Sequence, residues 1–141
     1  MVYVDTSVIV PLLTVEPSTA SVTAWFSGLQ DMPVSSDWLL TEFSSAISVK
    51  VRTGQLSEAD AKAVHQEFNL LASSGLRLTP VSRAAFKAAA DMTRAYKHGL
   101  RSGDALHLAV AQEIDAKIIA TLDSTMAKNA TRLKIRLVEF S

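Results

Sequence analysis

Asp5, Glu42, Asp104 and Asp123 are four carboxylates set among apolar neighbours. Asp5 closes the run Val2-Tyr3-Val4, and Asp123 follows Lys117-Ile118-Ile119-Ala120-Thr121-Leu122. Both read as acids at the carboxyl end of buried strands, which is where an open parallel sheet binds its ligands. Acids from distant parts of the chain can share one cleft there. Two carboxylates ~5 Å apart repel by roughly 3 kcal/mol at an effective dielectric of 20, so four in one pocket would take up protons unless cations held them. Magnesium or manganese, hard ions that prefer oxygen ligands, meet that need. The chemistry such a site supports is metal-assisted hydrolysis, and the four acids together suggest a metal-dependent nuclease.

Each acid also has a plainer reading. Asp5 in Asp5-Thr6-Ser7 sits at a strand-to-helix junction, where Asp, Thr and Ser commonly cap the helix. Glu42 shares a helical stripe with Leu39, Ala46 and Val49, beside Leu40, Phe43 and Ile47, so it points near the core side. No lysine or arginine occupies positions 38, 39, 45 or 46, one turn either side. A carboxylate there needs a partner, and a tertiary ion pair is the plain alternative to a metal. Asp104 stands in the first turn of a helix, whose dipole favours any acid. Its setting, Arg101-Ser102-Gly103-Asp104-Ala105-Leu106-His107-Leu108-Ala109, adds small residues that admit neighbouring backbone and places His107 one turn on. Asp123 can cap the helix from Ser124 to Ala130. The joint pattern is stronger than any member. His107 reads as a buried, hydrogen-bonded residue behind the acids, and His65 and His98 read as surface residues.

The elements that must carry these acids alternate between short β-branched runs and long helical patterns, which predicts an α/β domain with a parallel sheet. Strands are expected near 2–5, 32–35, 77–80, 117–121 and 135–138. Thr6 or Ser7 caps a short first helix, and Glu16-Pro17-Ser18 restarts one that runs to Gly28. Asp37 caps the next, ending near Gly54. Ser57-Glu58-Ala59-Asp60 opens another in capping-box form, closed by Ser73-Ser74-Gly75. These two make a helical hairpin. From Ser82 to His98, Ala85, Ala89, Met92 and Tyr96 fall on one stripe, and Gly99 stops that helix. Ser102 caps a further helix reaching about Asp115.

With 141 residues, 48% of them hydrophobic, the chain suits one domain, 1–141, with a substantial core. Fourteen basic residues balance fourteen acidic ones, so whole-molecule charge neither supports nor excludes nucleic acid, and any such site must be local. The absence of cysteine excludes disulfides and thiolate metal sites. The amino-terminal segment lacks a basic stretch followed by a long apolar core, and no run approaches about 18 uncharged apolar residues, so a soluble, cytoplasmic protein with no membrane partner is expected.

On Val4-Asp5-Thr6-Ser7, Thr41-Glu42-Phe43, the run Gly103 to Ala109, and Ala120-Thr121-Leu122-Asp123, the chain resembles the PIN-domain nucleases, most of all the VapC toxins of bacterial type II toxin–antitoxin modules. Each piece is weak alone, but their order and spacing along nearly the whole chain are specific. The resemblance implies an α/β fold with about five parallel strands sandwiched by helices, and a metal-binding pocket of Asp5, Glu42, Asp104 and Asp123 holding Mg2+, or Mn2+ in its place. It implies endoribonuclease activity on an RNA substrate, a homodimer and inhibition by a small VapB-like antitoxin. It also implies that Thr6, Ser7 and Thr121 orient the acids or the water. The stretch Ala127 to Lys134 departs from the pattern, lacking the small-residue and glycine turn expected before the last strand.

In the mechanism this implies, one or two ions polarise the scissile phosphate and activate a water for in-line displacement, leaving a 5′-phosphate and a 3′-hydroxyl. An acidic pocket repels RNA unless cations flank it, which makes Arg94, Lys97 and Arg101, with His98, the candidate RNA-binding rim, Arg101 foremost and Lys50 and Arg52 as possible additions. Arg94 and Lys97 can equally be solvated cations at a helix carboxyl end. A haloacid-dehalogenase-type phosphotransferase would want a second Asp at position 7, which is Ser, and a phosphorylated receiver would want paired acids near the first strand. A catalytically degenerate PIN-like module that only binds RNA or protein is the remaining alternative. Val51, Phe68 and Leu71, in the hairpin from Trp38 to Leu71, are candidates for a dimer or antitoxin surface, with core burial the competing role.

Overall fold

The computed structural model describes residues Met1–Ser141. Five short strands, β1 (Val2–Val4), β2 (Val34–Ser36), β3 (Arg77–Thr79), β4 (Ile118–Ala120) and β5 (Arg136–Leu137), form one all-parallel sheet in the order β3-β2-β1-β4-β5. Seven helices connect and flank them: α1 (Thr6–Leu13), α2 (Thr19–Ser27), α3 (Trp38–Arg52), α4 (Glu58–Ser74), α5 (Arg83–Arg94), α6 (Ser102–Glu113) and α7 (Ser124–Arg132). No helix is long and apolar enough to cross a membrane.

The pleat sends successive side chains to opposite faces, so each central strand feeds two cores. Tyr3 and Ile119 face the layer made by α5, α6 and α7, together with Ala85, Ala89, Leu108 and Met126. Val4 and Ala120 face the layer made by α1 to α4, with Ile9, Leu39, Phe43, Ile47 and Phe68. α6 is buried at every position from Ala105 to Ala111, and its alanines let α5 lie close through Ala85 and Ala89. The chain steps outward from β1 through β2 to β3 and then returns to lay β4 on the other side of β1. That border, with Val2 opposite Ile118 and Val4 opposite Ala120, is a topological switch point. Asp5 N donates to Ala120 O at 3.2 Å, so Asp5 and Thr121 leave the sheet side by side.

Strand positions agree with the sequence reading to within two residues, and several finer expectations are corrected. Neither Thr6 nor Ser7 caps α1; both hydroxyls turn to carboxylates instead. Asp37 adopts helical dihedrals and makes no side-chain cap. Ser57 does cap α4 by accepting from Asp60 N, but Ser102 is the first residue of α6 rather than its cap, and α6 ends at Glu113, short of Asp115. The helix expected to run on to His98 breaks at Ala95, whose ψ of 67° leaves the helical region, and a separate 3₁₀ turn spans Tyr96–His98 before Gly99 at φ 69°. Tyr96 is thereby rotated off the buried stripe and is 83% exposed.

On α3 the core stripe is Leu39, Phe43 and Ile47, while Leu40 and Val49 are exposed, so Glu42 lies at the stripe's edge. Phe68 stacks on Phe43 at 4.1 Å and is buried, which makes it core, while Val51 and Leu71 are half-buried against the same cluster. His65, expected at the surface, is half-buried edge-on to Phe43. Before β5, Lys134 itself takes the left-handed conformation, φ 64°, that a glycine would be expected to supply.

Candidate active site

The four acids reach the carboxyl edge of the sheet from four elements: Asp5 from the end of β1, Glu42 from the second turn of α3, Asp104 from the first turn of α6, and Asp123 from the residue before α7. α3 belongs to one helical layer and α6 to the other, and they approach each other at this edge.

Asp5 does not cap α1 with its side chain. Ser7 Oγ donates to its Oδ1 at 2.6 Å and Thr121 Oγ1 to its Oδ2 at 2.5 Å. Those hydroxyls are themselves fixed, since Leu122 N donates to Ser7 Oγ at 2.8 Å and Asp123 N to Thr121 Oγ1 at 3.1 Å. Burial pushes the Asp5 carboxyl up, His107 and the two hydroxyls oppose it, and the charge of Glu42 adds to the rise.

Glu42 finds its partners at long range. Thr6 Oγ1 donates to Oε1 at 2.6 Å, and His107 Nε2 lies 2.6 Å from the same oxygen. His107 Nδ1 in turn meets the Tyr3 hydroxyl at 2.6 Å. An ionised carboxylate only accepts, so Nε2 carries a proton; in the neutral ring Nδ1 then accepts from Tyr3, whose phenol burial holds protonated. Burial pushes Glu42 up, but His107, Thr6 and Trp38 outweigh it and leave the carboxyl below its ordinary value. With Oε1 committed, Oε2 points at Gly103, where a Cβ would overlap it. Glycine at this position is what allows α6 and α3 to bring Asp104 and Glu42 together.

Asp104 has the opposite balance. Burial and then the negative charges of Asp123, Asp5 and Glu42 push it up to about 6. Asp123 caps α7, its Oδ1 accepting from Met126 N at 2.7 Å, so the helix-cap reading holds for this acid. It nonetheless lines, with Glu42 and Asp104, an open cleft of about 660 Å³ whose wall includes Trp38, Gly103, Arg101 and Thr125. Asp5, only 2% exposed, lies behind this lining rather than in it.

Of the expected cationic rim, Arg101 lines the cleft, whereas Lys97 and Arg94 do not. Arg94 is exposed beside Asp91 at 3.8 Å. Lys50 pairs with Glu16 at 3.1 Å and Arg52 bonds Ser48, both at the far end of α3 from the cleft. Trp38, Tyr3 and Gly103 were not singled out as functional in the sequence. A signal for Tyr3 exists, because it lies two residues before Asp5 and so shares its face of the strand.

The donor set is all carboxylate and hydroxyl oxygen at the cleft, with no thiolate and with the one nearby imidazole committed to Glu42 and Tyr3, which suits a hard divalent cation. Asp104 is raised by burial first and by its acidic neighbours second, and a bound cation would offset both. In the present arrangement no three acids close on a common point.

A family model described as the PIN domain matches residues 2–131. No functionally curated protein matches the sequence. Among solved structures, VapC20 of Mycobacterium tuberculosis, described as a sarcin-ricin loop cleaving toxin, superimposes with a TM-score of 0.74 at 17% identity, covering 92% of this chain and 95% of that one. FitAcB of Neisseria gonorrhoeae gives 0.75 at 19% identity, covering 99% and 97%. VapBC2 of Rickettsia felis, bound to a DNA fragment from its promoter, gives 0.70 at 14% identity over 100% of both chains. At these identities the likeness is one of fold.

Proposed function

The chain belongs to the PIN-domain family, and from that premise we propose that it is the toxin of a type II toxin–antitoxin module, a divalent-metal-dependent endoribonuclease held in check by a VapB-like antitoxin and acting as a homodimer. The observation that carries this reading is the convergence of Glu42, Asp104 and Asp123 on one cleft with Asp5 behind it, at the switch point of a parallel sheet, where burial and then like charge drive Asp104 up to about 6. That the structurally similar VapC20 is a toxin that cleaves the sarcin-ricin loop supports the biological role.

Glu42, Asp104 and Asp123, backed by Asp5, would hold Mg2+ or Mn2+. Bound there, the ion supplies charge neutralisation at a phosphoryl oxygen and a water of lowered pKa. The chain's own part is orientation. Ser7 and Thr121 fix both Asp5 oxygens, while Thr6 and His107 fix one oxygen of Glu42 and leave the other toward the cleft. Arg101 stands on the cleft wall as a counter-charge for the RNA backbone. The products expected are a 5′-phosphate and a 3′-hydroxyl.

The test is incubation of the purified chain with total and structured RNA, with Mg2+ or Mn2+ and with chelator. Cleavage should require metal and disappear in Asp5→Asn and Asp104→Asn. Cleavage that persists in chelator would rule out the mechanism, and Mn2+ binding without turnover on any RNA would favour a binding module. Expression alone should arrest bacterial growth, and an antitoxin encoded next to it should co-purify and relieve the arrest.

A further inference from the structure

α3 carries two stripes. Leu39, Phe43 and Ile47 go into the core, while Trp38, Thr41, Glu42 and Ser45, spaced i, i+3, i+4 and i+7, share another face on which Thr41 and Ser45 are exposed. Along this second stripe lies a cavity of about 390 Å³ walled by Thr6, Trp38, Thr41, Glu42, Ser45 and Ala46. Trp38 and Glu42 also line the acidic cleft, so the two spaces adjoin across a ridge made by these two side chains.

The two spaces differ chemically. The cleft holds Glu42, Asp104, Asp123 and Arg101, the groups for a metal and a phosphate. The second cavity has no charge except Glu42 at its margin; it offers three hydroxyls and an indole. At the ridge the Trp38 Nε1–H is buried beside Gly103 and Glu42, on the side of the acidic cleft, where it helps to hold the Glu42 carboxylate ionised without completing a well-formed hydrogen bond; what Trp38 shows the second cavity is its neutral ring. A flat, neutral group rich in hydrogen-bonding atoms suits this cavity, and a second phosphate does not. In an RNA strand the nucleoside attached to the scissile phosphate is such a group, and the backbone carries it only one step from the cleft. An aromatic beside a phosphate site is also how sequence-tolerant single-strand binders hold a base.

We propose that this cavity is a nucleoside subsite, in which the base next to the scissile phosphate lies against the Trp38 indole and its ribose and base edge meet Thr41 and Ser45. This rests on the ribonuclease reading above and adds to it where the neighbouring base is held.

The test uses the full chain in chelator, so that no turnover is needed. Trp25 and Trp38 are the only tryptophans, and Trp25→Phe leaves Trp38 as the sole indole emitter. Titration with a single-stranded oligoribonucleotide should change its emission saturably. An abasic ribose-phosphate strand of equal length should bind roughly 5- to 150-fold more weakly, the range expected for one lost base stack, and leave emission unchanged. Trp38→Leu should lose the same factor for RNA and nothing for the abasic strand, and Trp38→Phe should restore most of it. Thr41→Val with Ser45→Ala, both on the exposed side of α3, should weaken RNA binding without touching the core. Emission unmoved by RNA, or RNA affinity equal in Trp38→Leu and the parent, overturns the proposal. So does quenching by an arginine-rich peptide where RNA gives none, which would make the groove a protein-docking site. Failure of the parent to cleave RNA in Mg2+ would sink the nuclease reading by a separate measurement and leave the binding result standing.

Discussion

His107 Nε2 and Glu42 Oε1 stand 2.6 Å apart across 65 residues of sequence, and Tyr3 closes the chain from behind at 2.6 Å. Glu42 has no lysine or arginine to answer it; a histidine that is 1% exposed and a threonine do so instead. The bond therefore does two things, compensating a half-buried carboxylate and choosing which of its oxygens faces the cleft.

Removing that donor should cost on the order of 1.5–3 kcal/mol, the range for a hydrogen bond to a charged group. His107→Phe should lower the melting temperature accordingly, at roughly 2–4 °C per kcal/mol for a chain of this size, and reduce Mn2+ affinity. His107→Gln, whose amide can donate toward Glu42 and accept from Tyr3, should recover much of both. Calorimetry paired with metal titration reads the outcome; a His107→Phe protein with unaltered metal affinity would make the bond purely structural.

The sign for Asp104 follows from its elevation to about 6. A group held above its unfolded value favours the folded state below the unfolded pKa, and that contribution is lost as pH rises through the folded one. In chelator, this residue should destabilise the protein progressively between about pH 4 and pH 6. Asp104→Asn should raise the melting temperature at pH 7.5, and the advantage should shrink as pH falls below 6. Mg2+ should stabilise the parent at pH 7.5 and do much less for the variant. A variant that melts lower at every pH would mean that Asp104 serves the helix dipole instead.

Gly103→Ala sets two effects against each other. Alanine is favoured in a helix by about 1 kcal/mol over glycine, yet its Cβ would overlap Glu42 Oε2, whose sister oxygen is tethered to His107 and Thr6. We expect the tether to decide: RNA cleavage should fall at least tenfold with little change in melting temperature. A stabilised variant of full activity would show that Glu42 swings aside freely.

Arg101→Ala should flatten the salt dependence of RNA binding by roughly 0.7 in log–log slope, one phosphate contact on a single strand. Arg94→Ala, beside Asp91 and outside the cleft lining, should leave the slope unchanged. Equal slopes for the two variants would move the RNA path away from Arg101.

The sheet was legible because its strands are short apolar runs closed by acids or turn residues, and α4 because Ser57 caps it in the expected form. Asp5 and Asp123 were legible for the same reason, standing where strands stop. What settles between capping and chemistry is non-local: Asp123 does cap α7, Asp5 does not cap α1, and nothing near either residue distinguishes them. The partner of Glu42 lay beyond any window of helical periodicity. The break at Ala95 was hidden because alanine and the residues around it suit a helix, and Lys134 took a left-handed turn that its side chain does not advertise.

The sheet divides the helices into two layers, and Glu42 and Asp104 reach the cleft from opposite ones. Any ligand that both of them hold is consequently a clasp across the molecule's seam, in a chain that has no disulfide to do that work. Its binding energy adds to folding as RT ln(1 + [L]/Kd), about 2.7 kcal/mol at a hundredfold excess over Kd. The gain should appear as slowed amide exchange in α3 and α6 alike, however far a given amide lies from the acids themselves.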